Sequence, residues 1–386
     1  MWFFSSPEVV FGQDALSYLD SISGHRALIV TDENMVRLGF ADLVDAHLRK
    51  AGVESRVFAG VEPDPSLRTV KKGAEVALEY RPDWIIGLGG GSCLDAAKGT
   101  WVLYERPDID PAGINPIENL GLRAKARLIA IPTTSGTGAE VTWAVVLTDT
   151  EAELKLSLGS REDQADVAIV DPCFVRDLPR ELVADTGMDA LTHAIEGYTS
   201  SWRNDFADGM ALKAIQLVFD YLPLSWESGD RQAREKMHNA GCIAGLAFGN
   251  SQAALAHALG HSLGATLHVS HGRAVGLFLP YTIEFTAGHA EGRYAEIARF
   301  IGLQVGSEED AGRVLSARVR QLMEQTSQPV TIEELGISID RFELALPAML
   351  QKAWTDTSAV MSARVPSEDE LEKLYRYSYE GKPVDF

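Results

Sequence analysis

The first 170 residues of this chain alternate short apolar runs with longer segments of helical periodicity, and this alternation restricts the fold more than any other feature. The runs at residues 27–30, 84–88 and 128–131 are typical of buried strands. Strands that alternate with helices form βαβ units, and the strands of such units run parallel in one sheet. We therefore predict an α/β fold with a parallel sheet. Further strands are predicted at residues 53–58, 142–148 and 167–170, and helices at residues 35–51, 67–80 and 93–104.

The pattern changes near residues 177–180. Few β-branched runs follow, and helical periodicity continues to the end of the 386 residues. A chain of this length is sufficient for two domains. We predict an α/β domain over residues 1–180 and an all-α domain over residues 181–386.

The charge of the chain excludes several classes of partner. With 35 basic and 55 acidic residues, the formal net charge is −20, which repels nucleic acids and anionic membranes. Residues 239–272 carry no charged side chain, but polar residues interrupt the stretch, so we expect no membrane span. Three scattered cysteines and an N-terminus without a basic segment favour a reducing, cytoplasmic location.

Two loops that follow predicted strands favour nucleotide binding. Gly89, Gly90, Gly91 and Ser92 lie between a strand and a helix, where backbone N–H groups and the helix N-terminus can bind phosphate. The alternative for this loop alone is a flexible turn. The second loop, residues 131–140, carries several hydroxyl groups and two glycines.

Asp32 follows the first strand of this domain, in the segment VTDEN. A carboxylate at that position often accepts hydrogen bonds from a ribose diol. Asp is also a good N-cap for the helix that follows, and in isolation this second interpretation is the stronger one.

Histidines cluster in the second half of the chain with helical spacing. Asp189 and His193 are four residues apart, His257 and His261 repeat that spacing, and His271 follows. Residues four apart face the same side of a helix, so these side chains can converge on one divalent ion. The alternative is a set of ordinary core histidines. Glu196 is either a partner of a metal-binding residue or a charge on the helix face, and we favour the helix-face charge. The role of His268 is left open, and we assign His25, His47, His238 and His289 to the surface.

Four motifs resemble the iron-containing (group III) alcohol dehydrogenase family. They are GGGSCLDAAKG, AIPTTSGTGAEVT, TGMDALTHAIEGYTS and HALGHSLGATLHVSHGRAVGLFLP, in the family's order and spacing. The resemblance implies an N-terminal dinucleotide-binding domain and a C-terminal helical domain with the active site in the cleft between them. It also implies a divalent metal held by Asp189, His193, His257 and His271. His261 matches a histidine that lies near the substrate without binding the metal.

The resemblance also implies a nicotinamide cofactor. The matching cofactor residues are Gly89, Gly90, Gly91, Ser92, Asp95, Thr133, Thr134 and Thr137, with Lys155 and Leu178 aligned less securely. Family members that use NADP usually carry a small residue at the position of Asp32. A carboxylate there would repel a 2′-phosphate, so we expect NAD.

The chain departs from the family at three places. Ser270 stands where proline is common, and Arg273 stands where smaller apolar residues are common. We assign Arg273 to the surface, although a side chain pointing into the cavity would suit an anionic aldehyde. The C-terminal block reads MSARVPSEDELEKLY, without the family's usual Asn-Pro-Arg segment.

The residues and the resemblance together predict a metal-dependent alcohol dehydrogenase or aldehyde reductase. It would transfer a hydride between NAD(H) and a small primary alcohol or aldehyde, with Fe²⁺ or Zn²⁺ as Lewis acid and His261 as the catalytic proton relay. Family members often form homodimers or larger homo-oligomers. The alternatives are a zinc-dependent polyol dehydrogenase of the glycerol type, a reductase of anionic aldehydes, a dehydroquinate synthase-like lyase, and a nucleotide-binding protein without activity.

Overall fold

The computed structural model describes residues 3–152 and 154–386. These residues form two compact units, residues 5–177 and residues 178–386, and residues 3–4 belong with the second. The boundary at residue 177 lies three residues before the predicted one. Within the described residues, no helix combines the length and apolar character that crossing a bilayer requires.

The first unit contains a six-stranded parallel sheet, as the alternating pattern predicts. The strands of this unit are β1 Glu8–Phe11, β2 Arg26–Val30, β3 Glu54–Phe58, β4 Trp84–Gly89, β5 Arg127–Pro132, β6 Ala144–Asp149, β7 Leu154–Gly159 and β8 Val167–Val170. The strand order in the parallel sheet is β1-β8-β5-β4-β2-β3. Its α-helices are α1 Glu33–Arg37, α2 Phe40–Lys50, α3 Leu67–Tyr80 and α4 Gly91–Glu105.

The sheet is apolar on both faces because side chains alternate along each strand. Leu28 and Ile85 pack into one buried cluster, while Ile29 and Ile86 pack into another on the opposite face. Every residue of β4 is buried, which is typical of a central parallel strand covered on both faces. The central strands are therefore fixed by apolar packing on both faces of the sheet.

Three details of this unit differ from the prediction. The helix predicted over residues 35–51 is two helices, because Gly39 between them adopts a φ of +76°. The strand predicted at residues 142–148 is β6, which forms an antiparallel hairpin with β7 outside the parallel sheet. The strands β1 and β7 are absent from the prediction, although β1 reads EVVF and β7 reads LKLSLG with alternating apolar residues.

The second unit is helical, as predicted. Its α-helices are α5 Arg180–Thr199, α6 Asp205–Ser228, α7 Arg231–Phe248, α8 Leu255–Leu267, α9 His271–Thr286, α10 Arg293–Phe300, α11 Glu308–Gln325, α12 Ile339–Thr355 and α13 Glu368–Glu380. One apolar cluster draws on α5, α6, α7, α9, α10 and α11, and a second draws on α8, α9, α12 and α13. Helix α9 belongs to both clusters, so it is fixed on two sides. Short 3₁₀ helices occur at Ala15–Ser21, Pro111–Gly113, Ala139–Val141, Arg161–Asp163, Pro172–Val175, Ala287–His289, Glu333–Leu335 and Ala359–Met361.

Candidate metal centre and cofactor site

Four side chains from three helices of the second unit converge on one point. Asp189 and His193 lie one turn apart on α5, His257 lies on α8, and His271 begins α9. One ligand atom from each lies within 4.8 Å of the others. The Oδ1 atom of Asp189 is 3.8 Å from His193 Nδ1, 3.9 Å from His257 Nε2 and 3.4 Å from His271 Nε2. The helical spacing of four thus brings together the residues that the sequence analysis selected.

Three of these ligand atoms are buried without a hydrogen-bond partner. They are Asp189 Oδ1, His193 Nδ1 and His257 Nε2. Each unpaired buried polar atom costs about 1–3 kcal/mol, so three of them at one point require a compensating partner. A divalent ion satisfies all three, and a set of one carboxylate and three imidazoles suits Zn²⁺ or Fe²⁺.

The ionisation of these groups favours metal binding. Burial lowers the pKa of His193 and of His257 to about 3, so both imidazoles are neutral and keep a lone pair for a metal. Burial would raise the pKa of Asp189, but the surrounding His193 and His271 hold it well below its usual range. Asp189 therefore offers the centre a carboxylate, and His193 and His257 offer neutral nitrogen donors.

Glu196 is part of this centre, and its interpretation as a surface charge is wrong. Its side chain is buried and accepts hydrogen bonds from the backbone N–H groups of Ala254 (2.8 Å) and Ala256 (2.5 Å). It also lies 2.5 Å from His257 Nδ1. This contact fixes the ring of His257 with Nε2 directed at Asp189, as carboxylate partners of metal-binding histidines commonly do. Burial raises the pKa of Glu196 to about 7.

Two glycines allow the helices to approach closely enough to form the centre. A Cβ on Gly260 of α8 would lie 2.8 Å from the backbone nitrogen of Val275 on α9. A Cβ on Gly272 would lie 2.3 Å from the carbonyl oxygen of Asp185 on α5. Both contacts are shorter than any real Cβ contact, so α9 could not lie so close to α5 and α8 with larger residues there.

His261 lies beside the centre but outside the group of four. Its ring centroid is 5.3 Å from that of His271 and 5.7 Å from that of His257. Its Nδ1 lies 2.8 Å from Oδ2 of Asp356, at the end of α12, and its side chain is 30% exposed. Burial would raise the pKa of Asp356, but the hydrogen bond from His261 lowers it to about 2. The sequence analysis missed Asp356, because nothing in its local sequence marks a partner 95 residues away.

The remaining histidines have local roles. His268 is exposed and ends α8 in the left-handed conformation, with a φ of +60°. His25 and His289 are exposed as predicted, while His47 is half-buried, with Nδ1 2.6 Å from Asp20 Oδ1. The prediction for His238 is wrong, since the side chain is buried on α7.

Arg273 is not a free surface arginine, contrary to our interpretation. Its side chain is 30% exposed, and its Nε donates to Oδ1 of Asp185 at 3.0 Å. The Oδ2 atom of the same carboxylate accepts from Ser270 Oγ at 2.7 Å. The two departures from the family sequence that flank His271 therefore share one partner.

In the first unit, the two loops selected from the sequence contact each other. A Cβ on Gly90 would lie 3.4 Å from Thr134, and one on Gly91 would lie 3.2 Å from Thr137. Thr133 donates its backbone N–H to the carbonyl oxygen of Gly89, at the ends of β5 and β4. Gly89 has a φ of +147°, and a side chain there would collide with Cys93. The glycine loop thus leads into the N-terminus of α4 with bare backbone, as phosphate binding requires.

Asp32 serves as the N-cap of α1. Its Oδ1 accepts from the backbone N–H groups of Asn34 (2.7 Å) and Met35 (3.0 Å). Its Oδ2 accepts from Cys93 Sγ at 3.4 Å, in the first turn of α4. Three donors therefore hold the carboxylate in one orientation beside the glycine loop.

The other candidate cofactor residues are engaged within the protein. Ser92 Oγ accepts from the backbone N–H of Asp64 at 3.3 Å, and Lys155 forms an ion pair with Asp64 at 2.7 Å. Asp95 accepts from the backbone N–H of Val146 at 3.1 Å. Leu178 is the first residue of the helical unit and packs against its core. Roles of these residues in cofactor binding stay predictions.

Comparison with known proteins extends the resemblance to the whole chain. A family model described as iron-containing alcohol dehydrogenase matches residues 6–172. A model described as Fe-containing alcohol dehydrogenase family, C-terminal, matches residues 183–379. The NADPH-dependent butanol dehydrogenase of Clostridium saccharobutylicum is 40% identical over 98% of both chains. The aldehyde-alcohol dehydrogenase 2 of Entamoeba histolytica is 37% identical. That match covers 98% of this chain but only 46% of the longer Entamoeba protein.

Solved structures agree with these relatives. An iron-containing alcohol dehydrogenase from Thermococcus thioreducens has a TM-score of 0.91 and 33% identity, covering 99% of this chain and all of the other. The sulfoacetaldehyde reductase of Bifidobacterium kashiwanohense, solved with NAD⁺, has a TM-score of 0.86 and 28% identity, covering 98% of each chain.

Proposed function

The chain belongs to the iron-containing alcohol dehydrogenase family, and from this membership we propose that it interconverts small primary alcohols and aldehydes, using NAD(H) and one bound Fe²⁺ ion. As an oxidoreductase of this family, it transfers a hydride between a nicotinamide cofactor and an alcohol or aldehyde. The convergence of three buried, unpaired ligand atoms at Asp189, His193 and His257 carries the proposal.

The four residues Asp189, His193, His257 and His271 would hold the ion. An ion held there would act as a Lewis acid on the oxygen of the alcohol or aldehyde. Glu196 would keep His257 in the tautomer and orientation that metal binding needs. Zn²⁺ fits the same donors, and the supply of metal would decide between the two ions.

We assign proton transfer to His261. Asp356 is a carboxylate above about pH 4, because its pKa is about 2, and it accepts the Nδ1 proton of His261. With Nδ1 directed at Asp356, Nε2 of His261 is left to take the proton of an alcohol and pass it to water.

We expect His261→Ala to retain its metal while turnover falls about a hundredfold or more, which is typical of losing a general acid or base. The dependence of kcat on pH should also change, because the proposed proton relay is lost. Asp356→Asn should alter the same limb of the pH profile by a smaller factor. Metal content and the pH profile of kcat measure these effects. Loss of metal from His261→Ala would instead make this residue a ligand.

The first unit would bind the dinucleotide. The backbone of Gly89, Gly90 and Gly91 at the N-terminus of α4 would receive the pyrophosphate, with Ser92, Asp95, Thr133, Thr134 and Thr137 around it and Lys155 further along the cofactor. Leu178 belongs to the helical unit, and its role in cofactor binding is proposed from the family resemblance alone. The bare backbone of the glycine loop and its contacts with Thr134 and Thr137 support this arrangement.

We expect NADH to be preferred over NADPH because of Asp32, although the butanol dehydrogenase relative carries NADPH in its name. The fixed carboxylate would accept hydrogen bonds from the ribose hydroxyls and repel a 2′-phosphate, a contact that costs several kcal/mol. Asp32→Gly should therefore raise the kcat/KM ratio of NADPH to NADH about tenfold or more. Glu33→Gln, which removes an exposed neighbouring charge, is the matched control and should leave the ratio nearly unchanged. Equal kcat/KM for both cofactors in the wild type would contradict the preference.

We further propose a cytoplasmic homodimer or larger homo-oligomer. The three cysteines are free in the structure, which fits a reducing compartment. The oligomer rests on the family resemblance alone.

Steady-state oxidation of NADH with a panel of aldehydes and one ketone tests the proposed substrate class. Propanal and butanal should be reduced, whereas dihydroxyacetone and sulfoacetaldehyde should react poorly. The pairing of Arg273 with Asp185 supports this expectation, since that guanidinium already has a carboxylate partner. Turnover of the polyol-type ketone alone would favour a glycerol-type enzyme, and turnover of the sulfonate alone would favour a reductase of anionic aldehydes.

A further inference from the structure

Asp185 lies one helical turn before Asp189 on α5, and its carboxylate binds the residues on both sides of His271. Its Oδ2 accepts from Ser270 Oγ at 2.7 Å, and its Oδ1 accepts from Arg273 Nε at 3.0 Å. Residues four apart on a helix share one face, so α5 presents two carboxylates to the start of α9. The first holds the chain around His271, and the second lies 3.4 Å from the imidazole of His271.

The carboxylate of Asp185 is itself held in place. Its residue is 8% exposed, and Gln328 Nε2 donates to its Oδ1 at 2.9 Å. The backbone of Gly272 packs directly on the carbonyl oxygen of Asp185, where no side chain would fit. The contact between α5 and the first turn of α9 is therefore tight.

His271 is the candidate ligand that most needs such support. Its side chain is 38% exposed, whereas those of Asp189, His193 and His257 are at most 5% exposed. It is also the first residue of its helix, so no preceding helical turn restricts it. Neighbouring side chains therefore restrain His271 less than they restrain the other three candidate ligands.

Ser270 has the backbone conformation of a proline, but its side chain is held by a hydrogen bond to Asp185. Its φ is −57°, which lies in the range that a proline ring imposes, and proline is common at this position in the family. Ser270 does not cap α9 with its side chain, and its hydroxyl is donated to Asp185 instead. The hydrogen bond from Ser270 to Asp185 therefore restrains the backbone before His271, as the proline ring does in other family members.

We propose that Asp185 is a positioning residue that holds His271 in place for metal binding, acting through Ser270 and Arg273. The proposal rests on the proposed metal centre. Contacts that orient a metal ligand commonly change metal affinity 10–100-fold when removed. Because proline would supply the same restraint, the loss of Asp185 should be repaired by Ser270→Pro.

The test is zinc affinity of the full-length protein, measured after metal removal by competition with a chromogenic chelator. Asp185→Ala should bind Zn²⁺ about tenfold or more weakly than the wild type. Asp185→Asn, which keeps one acceptor oxygen, should show a smaller loss. Ser270→Pro alone should bind nearly as the wild type does, and Ser270→Pro combined with Asp185→Ala should regain most of the lost affinity.

A matched control separates positioning from general stability. Asp208 on α6 pairs with Arg293 at 2.5 Å and belongs to none of the groups around the candidate metal centre. Asp208→Ala should lower the melting temperature of the metal-free protein and leave its Zn²⁺ affinity unchanged. Asp185→Ala with wild-type Zn²⁺ affinity, or no recovery with Ser270→Pro, would overturn the proposal. If the wild type and His257→Ala bind Zn²⁺ equally, the metal centre itself is wrong.

Discussion

Replacing His257 with alanine is expected to release the metal and reduce turnover about a thousandfold or more. His257 is the candidate ligand that lies between two carboxylates, because its Nε2 is 3.9 Å from Asp189 Oδ1 and its Nδ1 is 2.5 Å from Glu196 Oε2. Lewis-acid stabilisation of the reacting oxygen contributes several kcal/mol, and about 4 kcal/mol corresponds to that loss of rate. Metal analysis of the purified variant, together with its rate of NADH oxidation, measures both effects.

His238→Ala is the matched control for this variant. His238 is also a buried histidine of the helical unit, but it lies on α7 outside the group of four. Its removal should lower stability while metal content stays at the wild-type level. Full metal occupancy in His257→Ala would show that the ligand assignment is wrong.

Replacing Glu196 with alanine is expected to have the second largest effect. The backbone N–H groups of Ala254 and Ala256 and the ring nitrogen of His257 would lose their buried acceptor. Each unpaired donor costs about 1–3 kcal/mol, so the free energy of unfolding should fall by several kcal/mol. Metal affinity should fall about 10–100-fold as well, because the ring of His257 is no longer fixed.

Urea unfolding and chelator competition measure these two effects separately. Glu196→Gln keeps one acceptor oxygen at nearly the same size, so it should recover much of the stability and part of the affinity. If Glu196→Ala keeps wild-type metal affinity, the contact with His257 does not orient that ligand.

Glu196 shows what helical spacing in a sequence can predict and what it cannot. Its position three residues after His193 and seven after Asp189 places all three on one face of α5, but this spacing does not distinguish a buried carboxylate from an exposed one, and the exposed one was the wrong choice. The spacing also does not identify the groups that donate hydrogen bonds to Glu196. The donors to Glu196 lie about 60 residues further along, at the start of α8, and only the packing of the two helices brings them together.

The same limit applies to Asp356 and to the fold. The histidine pairs and the parallel sheet follow from local periodicity, which the sequence displays directly. The contact of His261 with Asp356 spans 95 residues, and β1 pairs with β8 across more than 150 residues. A strand as short as β1 is stabilised mainly by its distant partner, so its four residues alone do not predict that it joins the sheet.

Arg273 was misjudged for a related reason. An arginine at a position where the family has small apolar residues suggests an exposed side chain or a side chain that binds an anionic substrate. In the structure, Arg273 instead pairs with a carboxylate of the same chain. Its partner Asp185 lies on α5, 88 residues earlier, and the pair forms only because Gly272 lets α9 approach that helix.

The most direct test of the proposed metal centre is a titration of metal-free enzyme with Fe²⁺ under anaerobic conditions, with NADH oxidation by butanal and bound metal measured together. The metal-free chain should be nearly inactive, activity should rise in proportion to bound Fe²⁺, and both should stop rising at one ion per chain. Full activity in the metal-free chain, or activity that does not follow bound metal, would contradict it.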